Sequence, residues 1–153
     1  MMKRIAIVLS LLLIFGITYS QEEPVVTWEG LKKQKEKTDE DIKNDKKKLK
    51  SATWNKRADI YFEIYNFVGS GLYVGMPAQG GINSIEFIAG KPGKIYTSED
   101  GEIWEYERKK LYIKNGLLDK IEQTEYIDEN ALEKSAHAIL KAVELDEKDK
   151  FKD

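Results

Sequence analysis

An apolar helical face between Thr53 and Val68 constrains the fold more than any other feature of this sequence. Side chains recur there at the three- and four-residue spacing of an α-helix, at Trp54, Ala58, Tyr61, Ile64, Tyr65 and Val68. Thr53 is the predicted N-cap and Gly69 the predicted stop. The stretch that follows, "FVGSGLYVGMPAQGG", is rich in glycine and predicts no second helix. The face therefore needs a partner from a distant part of the chain.

A second helix without a neighbouring partner is predicted in the last quarter of the chain. It begins at Ala131 and runs for about fifteen residues. Its larger apolar side chains form one stripe, at Leu132, Ala136, Ile139, Leu140 and Val143. Ala131, Ala138 and Ala142 are small neighbours through which another helix could approach closely. We expect this helix to pack, through its apolar stripe, against the helix of residues 53–68.

The segment between the two helices begins with a short helix. Its predicted apolar side consists of Ile82, Ile85, Ile88 and Ala89. Asn83 or Ser84 is the predicted N-cap, and Gly90 with Pro92 ends the helix.

Three short β-strands follow, because the apolar period changes from helical spacing to two. Trp104 and Tyr106 share one side of the first strand, and Leu111 and Ile113 one side of the second. The third strand places three residues together, at Leu117, Asp119 and Ile121. Asp100-Gly101 and Asn115-Gly116 predict tight hairpin turns, in which both central residues need positive φ. We expect an antiparallel meander with one face on the short helix and the other in water.

The first twenty residues predict a secretory signal peptide. Lys3 and Arg4 precede an apolar run, Ile5 to Ile17, and small residues follow before Gln21. That run is shorter than the roughly 20 residues that span a bilayer. We expect cleavage near Ser20/Gln21, a periplasmic or secreted mature protein and no membrane anchor after cleavage. Residues 21–52 are predicted as a charged segment, with a helix from Trp28 and then a lysine-rich connection.

Composition excludes several kinds of chemistry. The chain has no cysteine, so it has no disulfide, no thiolate nucleophile and no cysteine-linked lipid. Its 27 acidic and 25 basic side chains are well mixed, which argues against nucleic acid as a partner. His137 is the single histidine and is expected at the surface or at its boundary, so we predict no histidine-based metal site and no cofactor.

A cluster of acidic residues could suggest paired catalytic carboxylates. Two of its members, Glu105 and Glu107, alternate with Trp104 and Tyr106, which places these two on the solvent-facing side of a strand. The whole cluster is Glu99, Asp100, Glu102, Glu105 and Glu107. We therefore predict that the protein is not an enzyme. An envelope hydrolase is the least favoured function, because no nucleophile–base pair or metal set can be assembled.

The two long helices resemble the halves of one tetratricopeptide (TPR) repeat. "WNKRADIY" matches the signature W-x2-L-G-x2-Y at Trp54 and Tyr61, with Arg57 and Ala58 at the leucine and glycine positions. "AILKAVELDEKDK" is similar to the second half, with Ile139 and Ala142 in place and Glu147 where proline is usual. The resemblance implies one split helix pair, residues 53–68 and 127–147, around an inserted module of residues 69–126.

The inserted module has a resemblance of its own. Its motifs are Gly75-Met76, Gly90 with Pro92, Trp104 with Tyr106, and the strand from Leu111 to Gly116. In this order they resemble the small outer-membrane assembly lipoprotein (SmpA/OmlA, BamE-like) family and related β-lactamase-inhibitor-like modules, although the lipid-bearing cysteine is absent. The predicted fold is therefore α+β, a TPR-like helical pair interrupted by a small helix and a three-stranded antiparallel β-meander. The whole resembles the N-terminal part of an exported TPR protein of Gram-negative bacteria.

These resemblances imply a non-catalytic protein-interaction or scaffold protein of the bacterial cell envelope. In TPR proteins the first helix of a repeat lines the binding groove, which implies partner-binding residues at Asn55, Asp59 and Phe62. Phe62 adjoins the packed Tyr61, so a place in the core is the alternative. The alternative function is an envelope assembly factor or an inhibitor-type binder acting through the β-module. In both cases the implied partner is an envelope protein or peptide.

The signal-peptide prediction has a direct test. Expressed with its own leader in a Gram-negative host, the protein should be recovered from the periplasm with its N-terminus at or near Gln21 and without lipid. Mass spectrometry of the intact protein measures this. An uncleaved Met1 start in the membrane fraction would contradict the prediction.

Overall fold

The computed structural model describes residues 26–150, with side chains as far as Lys148. The predicted signal peptide and residues 21–25 lie outside this range. The helices are α1 (Trp28–Asp41), α2 (Ser51–Asn66), α3 (Ile85–Ala89) and α4 (Ala131–Lys150). The strands are β1 (Lys94–Ser98), β2 (Gly101–Glu105), β3 (Lys109–Lys114) and β4 (Leu117–Gln123). Helices and an antiparallel sheet thus share the chain, which confirms the predicted α+β class.

Helices α2 and α4 pack on one another, so the distant partner expected from the sequence is present. Ser135 of α4 donates a hydrogen bond from its hydroxyl to the backbone carbonyl of Ala58 in α2, at 2.8 Å. Ala138 and Ala142 are buried in the same contact. Small side chains permit the close approach that a bond from a side chain to another helix's backbone requires.

Helix α1 covers another side of α2 and completes a small helical core. The core joins residues of all three helices: Leu31, Ile60, Tyr61, Ile64 and Ala131. Thr27 caps α1 by accepting a hydrogen bond from the Gly30 amide at 3.1 Å. The polar residues after α1 form turns, as the lysine-rich composition predicted.

Three details predicted for α2 are wrong. The helix begins at Ser51, with Lys50 at the N-cap and no side-chain cap bond, so Thr53 lies inside the helix. It ends at Asn66, before Gly69. Tyr65 is half exposed, because α1 and α4 together cover the side centred on Tyr61 and leave Tyr65 at its margin.

The prediction of which stripe of α4 is buried is also wrong. Its large apolar residues are exposed, whereas Ala131, Ser135, Ala138, Ala142 and Leu145 are buried. These five residues also recur at helical spacing, on the face of the helix next to the predicted stripe. The helix therefore uses its small face for α2 and leaves its large apolar side chains outside this contact.

The sheet has four strands, in the order β1-β2-β3-β4, rather than the three predicted. Strand β1 was missed because all five of its residues are exposed, so no burial alternation marks it. Asn115 and Gly116 have positive φ, 51° and 76°, as the second turn required. In the first turn Glu99 and Asp100 are central and Gly101 begins β2, one residue earlier than predicted. A Cβ at Gly101 would lie 2.1 Å from the Ile113 carbonyl oxygen, so only glycine fits there.

The residues predicted to share one face of the last strand do not share it. Ile113 pairs with Leu118 and Tyr112 with Lys120, so Asp119 is an extra residue in β4. Such a bulge reverses the alternation of side chains along the strand. Leu118 is consequently buried, whereas Leu117 and Asp119 are exposed.

A second core lies between the sheet and the short helix, as the sequence predicted. It joins Met76, Ala78, Ile85, Trp104, Leu111, Ile113 and Leu118. Ser84 caps α3 through the Phe87 amide at 3.3 Å, and Gly90 ends it with φ of 74°. Ile82 and Ile88, predicted for the buried side of this helix, are exposed.

Two cationic side chains join the sheet to the helices. Burial lowers the pKa of Lys109, whose ammonium group donates to the Val68 carbonyl at 2.8 Å. Arg108 lies over the ring of the buried Trp28 at 4.7 Å, and Phe67 meets the same ring at 5.8 Å. The start of α1 and the end of α2 are thereby held against the β2–β3 connection.

The packing of α2 on α4 predicts a strong dependence on which alanine of α4 is enlarged. Ala142→Leu should lower the free energy of unfolding by about 1 to 3 kcal/mol, because a larger side chain must separate the two helices. Ala136→Leu makes the same change at an exposed position of α4 and should be within about 0.5 kcal/mol of wild type. Urea denaturation measures both. Equal losses would contradict this packing of α2 on α4.

Candidate functional site

The α2–α4 pair has two flanks, and α1 occupies one of them. There Arg57 of α2 binds the Asp39 carboxylate of α1. The Tyr61 hydroxyl donates to the same carboxylate at 2.8 Å, and Lys35 donates to its second oxygen at 3.0 Å. Burial raises the pKa of Asp39, but these three hydrogen bonds outweigh burial and bring the pKa from 3.8 to about 2. Asp39 is therefore a structural anion.

Charged side chains of α4 extend the same flank. Lys134 binds Asp128 at 2.6 Å, and Lys35 lies 3.6 Å from that carboxylate. A shallow cavity is lined by Arg57, Asn130, Glu133, Lys134 and His137. Since Arg57 faces α1, these residues of α4 lie on the α1 side of the pair. The charges of this flank are largely paired within the protein.

The opposite flank of α4 is apolar and exposed. At 3.6 residues per turn, Leu132, Ile139 and Val143 lie across the buried small-residue stripe from Lys134 and His137. Each of the three has about half of its surface exposed, between 46% and 50%. Leu140 is 71% exposed beside them. A row of large aliphatic side chains thus runs along α4 on the side away from α1.

Helix α2 contributes its own residues to that side. Asn55, Asp59 and Phe62 lie across the α4 contact from Arg57, and all three are exposed. Ala58 lies opposite Ser135 and Trp54 lies opposite His137, so the two helices run antiparallel. Phe62 therefore lies towards the Leu132 end of α4, and Asn55 towards the Ile139 end. We call this surface the two-helix face. It comprises Asn55, Asp59 and Phe62 of α2 and Leu132, Ala136, Ile139 and Val143 of α4.

Three of the seven residues of this surface, those of α2, are the ones that the sequence predicts to bind a partner. The structure exposes the three residues predicted to bind a partner, and Phe62, with 52% of its surface exposed, is not in the core. Ile139, predicted to pack inside the helix pair, is instead on the two-helix face. The sequence does not reveal the α4 row, because two stripes of helical period compete there and hydrophobicity alone predicts burial of the larger side chains. The alanine and serine stripe was the signal that identifies the true contact.

The charges around the two-helix face are mainly acidic. Asp59 and Glu63 border it on α2, and Asp146 and Glu147 border its C-terminal end on α4. Lys56 is the nearest cation on α2. None of these four carboxylates forms an ion pair with a basic side chain among those the structure describes. The exposed apolar surface therefore has an unneutralised negative border.

The other candidate residues have structural partners. The exposed His137 meets the Trp54 ring edge-on at 6.0 Å. Glu102 accepts a hydrogen bond from the indole of Trp104 at 2.7 Å, and Glu105 accepts one from the Tyr96 hydroxyl at 2.7 Å. Within residues 26–148, no three His, Asp or Glu side chains are grouped so that they could hold a metal ion.

The aromatic motif residues of the inserted module pack in or against the core of the sheet. Trp104 is 2% exposed in the core of the sheet. Tyr106 packs against that core and donates from its hydroxyl to the Gly90 carbonyl at 3.0 Å. Burial, together with Glu86, raises the pKa of Tyr106 from 10.0 to about 12. Both aromatic residues therefore serve the fold rather than a ligand, as the sequence favoured.

Comparison with known proteins does not assign this chain to a family. No family, no curated protein and no solved structure matches it. In the part of the chain that the structure describes, no helix is both long enough and apolar enough to cross a bilayer.

The Asp39 ion pair predicts how stability depends on pH. Because the pKa of Asp39 is about 2 in the folded protein and 3.8 ordinarily, its carboxylate stabilises the fold above pH 3.8. That contribution is lost as the pH falls towards 2, at a cost of about 1 to 2 kcal/mol for a side chain that is 28% exposed. Asp39→Asn should remove this part of the pH dependence.

Urea denaturation between pH 2 and pH 6 measures the effect. Asp59→Asn is the matched control, because Asp59 is an exposed aspartate of α2 without an ion-pair partner among the described side chains. It should retain the pH dependence of wild type. If Asp39→Asn also retained it, the role given to Asp39 would be wrong.

Proposed function

We propose that the protein is a non-catalytic protein-binding module of the bacterial cell envelope, and that the two-helix face is its binding surface. The observation that carries this proposal is that α4 buries its small side chains and exposes its large apolar ones. The helix buries alanine and serine against α2 and exposes leucine, isoleucine and valine. A contiguous exposed apolar surface of this kind is typical of an interaction site.

The partner is an amphipathic α-helix that carries basic residues beside its apolar side. Two adjacent antiparallel helices form a shallow groove, and a third helix can lay an apolar stripe along it. Ile139 and Val143 of α4 lie one turn apart, which matches apolar residues at i, i+3, i+4 and i+7 of such a ligand. The acidic border from Asp59 to Glu147 favours lysine or arginine at the flanks of the bound helix.

Two features of the sequence support this function. The TPR-like signature implies that Asn55, Asp59 and Phe62 line a groove, and these residues border the exposed row of α4. The predicted signal peptide supports an envelope location. The alternative, docking through the β-module alone, would use surfaces such as that around Phe87, which is 67% exposed on α3.

A designed peptide can test the proposal before the natural partner is identified. The probe is a fluorescein-labelled 18-residue helix with a leucine stripe and lysine flanks, and a scrambled peptide of equal composition is its control. Fluorescence anisotropy should show saturable binding of the helical peptide and at least about tenfold weaker binding of the scrambled one. Ile139→Asp should reduce the affinity at least about tenfold, because it places a charge in the apolar row.

Phe87→Asp is the matched control, since it puts the same charge on an exposed apolar residue of α3. It should leave binding unchanged, and Asp59→Lys should weaken it. Circular dichroism and thermal melting verify that each variant is folded. Equal affinity for both peptides, or equal losses for Ile139→Asp and Phe87→Asp, would contradict the proposed surface. A loss only with Phe87→Asp would favour the β-module as the binding part.

A further inference from the structure

The outer edge of strand β1 is open. Strand β1 is the first of the four strands and pairs with β2 alone. Among residues 26–150 no other segment pairs with it. An antiparallel ladder uses about half of a strand's backbone groups on each side. The remaining amides and carbonyls of Lys94–Ser98 therefore face solvent along the whole strand.

The other edge of the sheet is covered where strand β4 begins. The segment before α3 lies along residues 116–118 and bonds to their backbone. Gly75 donates to the Leu118 carbonyl at 2.7 Å, Leu118 donates to Met76 at 2.8 Å, and Ala78 donates to Gly116 at 2.8 Å. The fold thus covers the start of the β4 edge with its own chain, whereas no described segment pairs with the outer edge of β1, which is open to an added strand.

The side chains of β1 do little to prevent strand addition. Ile95 and Tyr96, on opposite faces of the strand, are both exposed, at 50% and 41%. Natural edge strands are commonly protected by proline, by a bulge or by several charges. Residues 94–98 contain one charge, Lys94, and no proline, and their pairing with β2 has no register shift.

The charges at the two ends of β1 indicate that the added strand is a second copy of β1. Lys94 begins the strand, and Glu99 and Asp100 follow its end. None of the three forms an ion pair with another described side chain. When two copies of β1 pair antiparallel, the start of each lies beside the end of the other. Lys94 of each copy then meets the Glu99–Asp100 turn of its partner, and this contact occurs twice.

We propose that two copies of this chain pair antiparallel through their β1 edges, centred on Tyr96, and form one continuous eight-stranded sheet. The Tyr96 rings of the two copies then lie side by side across the two-fold axis, where aromatic cross-strand pairs are favourable. A five-residue pairing buries less than the roughly 1,600 Å² of a standard interface, so the dimer is weak and depends on concentration. The two-helix face takes no part in this contact.

Exchange of the end charges tests the pairing. Lys94→Glu and the double variant Glu99→Lys, Asp100→Lys should each weaken dimerisation roughly tenfold, because each places like charges together at both ends of the contact. The triple variant that combines all three changes restores opposite charges and should recover the wild-type dissociation constant. Sedimentation equilibrium over a range of protein concentrations measures all four proteins, and circular dichroism verifies that they are folded.

Disulfide trapping gives an independent test, since the chain has no cysteine of its own. Under mild oxidation Tyr96→Cys should yield a covalent dimer, because position 96 lies beside itself at the two-fold axis. Phe87→Cys is the exposed control, and Ile139→Cys reports pairing through the two-helix face. A monomeric wild type, a triple variant that stays as weak as the others, or trapping as efficient at Phe87 or Ile139 would overturn the proposal.

Discussion

The contact between α2 and α4 through small side chains determines much of the architecture. The Ser135 hydroxyl reaches the Ala58 carbonyl, which is possible only because Ala138 and Ala142 allow the helices to lie close together. The two helices lie on either side of the β-sheet in the sequence, so the sheet is an insertion between the two members of a helical pair. Its own core, around Trp104, is separate from the helical core around Tyr61. Each part buries an apolar cluster of its own.

The same contact explains why an apolar surface remains exposed. A helix that buries its alanines has its large aliphatic residues on another face, and nothing in the described part of the chain covers that face. The α1 side of the pair is closed instead by α1, whose Leu31 joins the helical core and whose Asp39 binds Arg57. The α2–α4 pair thus combines one flank that α1 covers with an uncovered, apolar one. An asymmetry of this kind suits a binding surface, because only one flank has a reason to attract an apolar partner.

The periodicity of the sequence identified the helices, the distant helix partner and most of the sheet. It failed where two patterns competed or where no pattern existed. In α4 the stripe of large residues with Ile139 and the stripe of small residues with Ala138 both have helical spacing. Hydrophobicity alone predicts that the stripe of large residues is buried. Strand β1 has no buried face, so its burial shows no alternation. The bulge at Asp119 shifts the alternation in β4, which a regular period of two cannot reveal.

The candidate surface was partly predictable for a related reason. Asn55, Asp59 and Phe62 followed from a resemblance in α2, whereas the apolar row of α4 depended on which of its two stripes is buried. The two exposed surfaces, the two-helix face and the β1 edge, belong to different parts of the fold. A dimer formed through β1 would therefore carry two free two-helix faces. A partner that presents two basic amphipathic helices at a matching distance would bind such a dimer more tightly than a single copy. Once its first helix is bound, its second helix binds with a high effective concentration, even though each single contact is weak. Self-association through the sheet and ligand binding through the helices would then reinforce each other without a change in either surface.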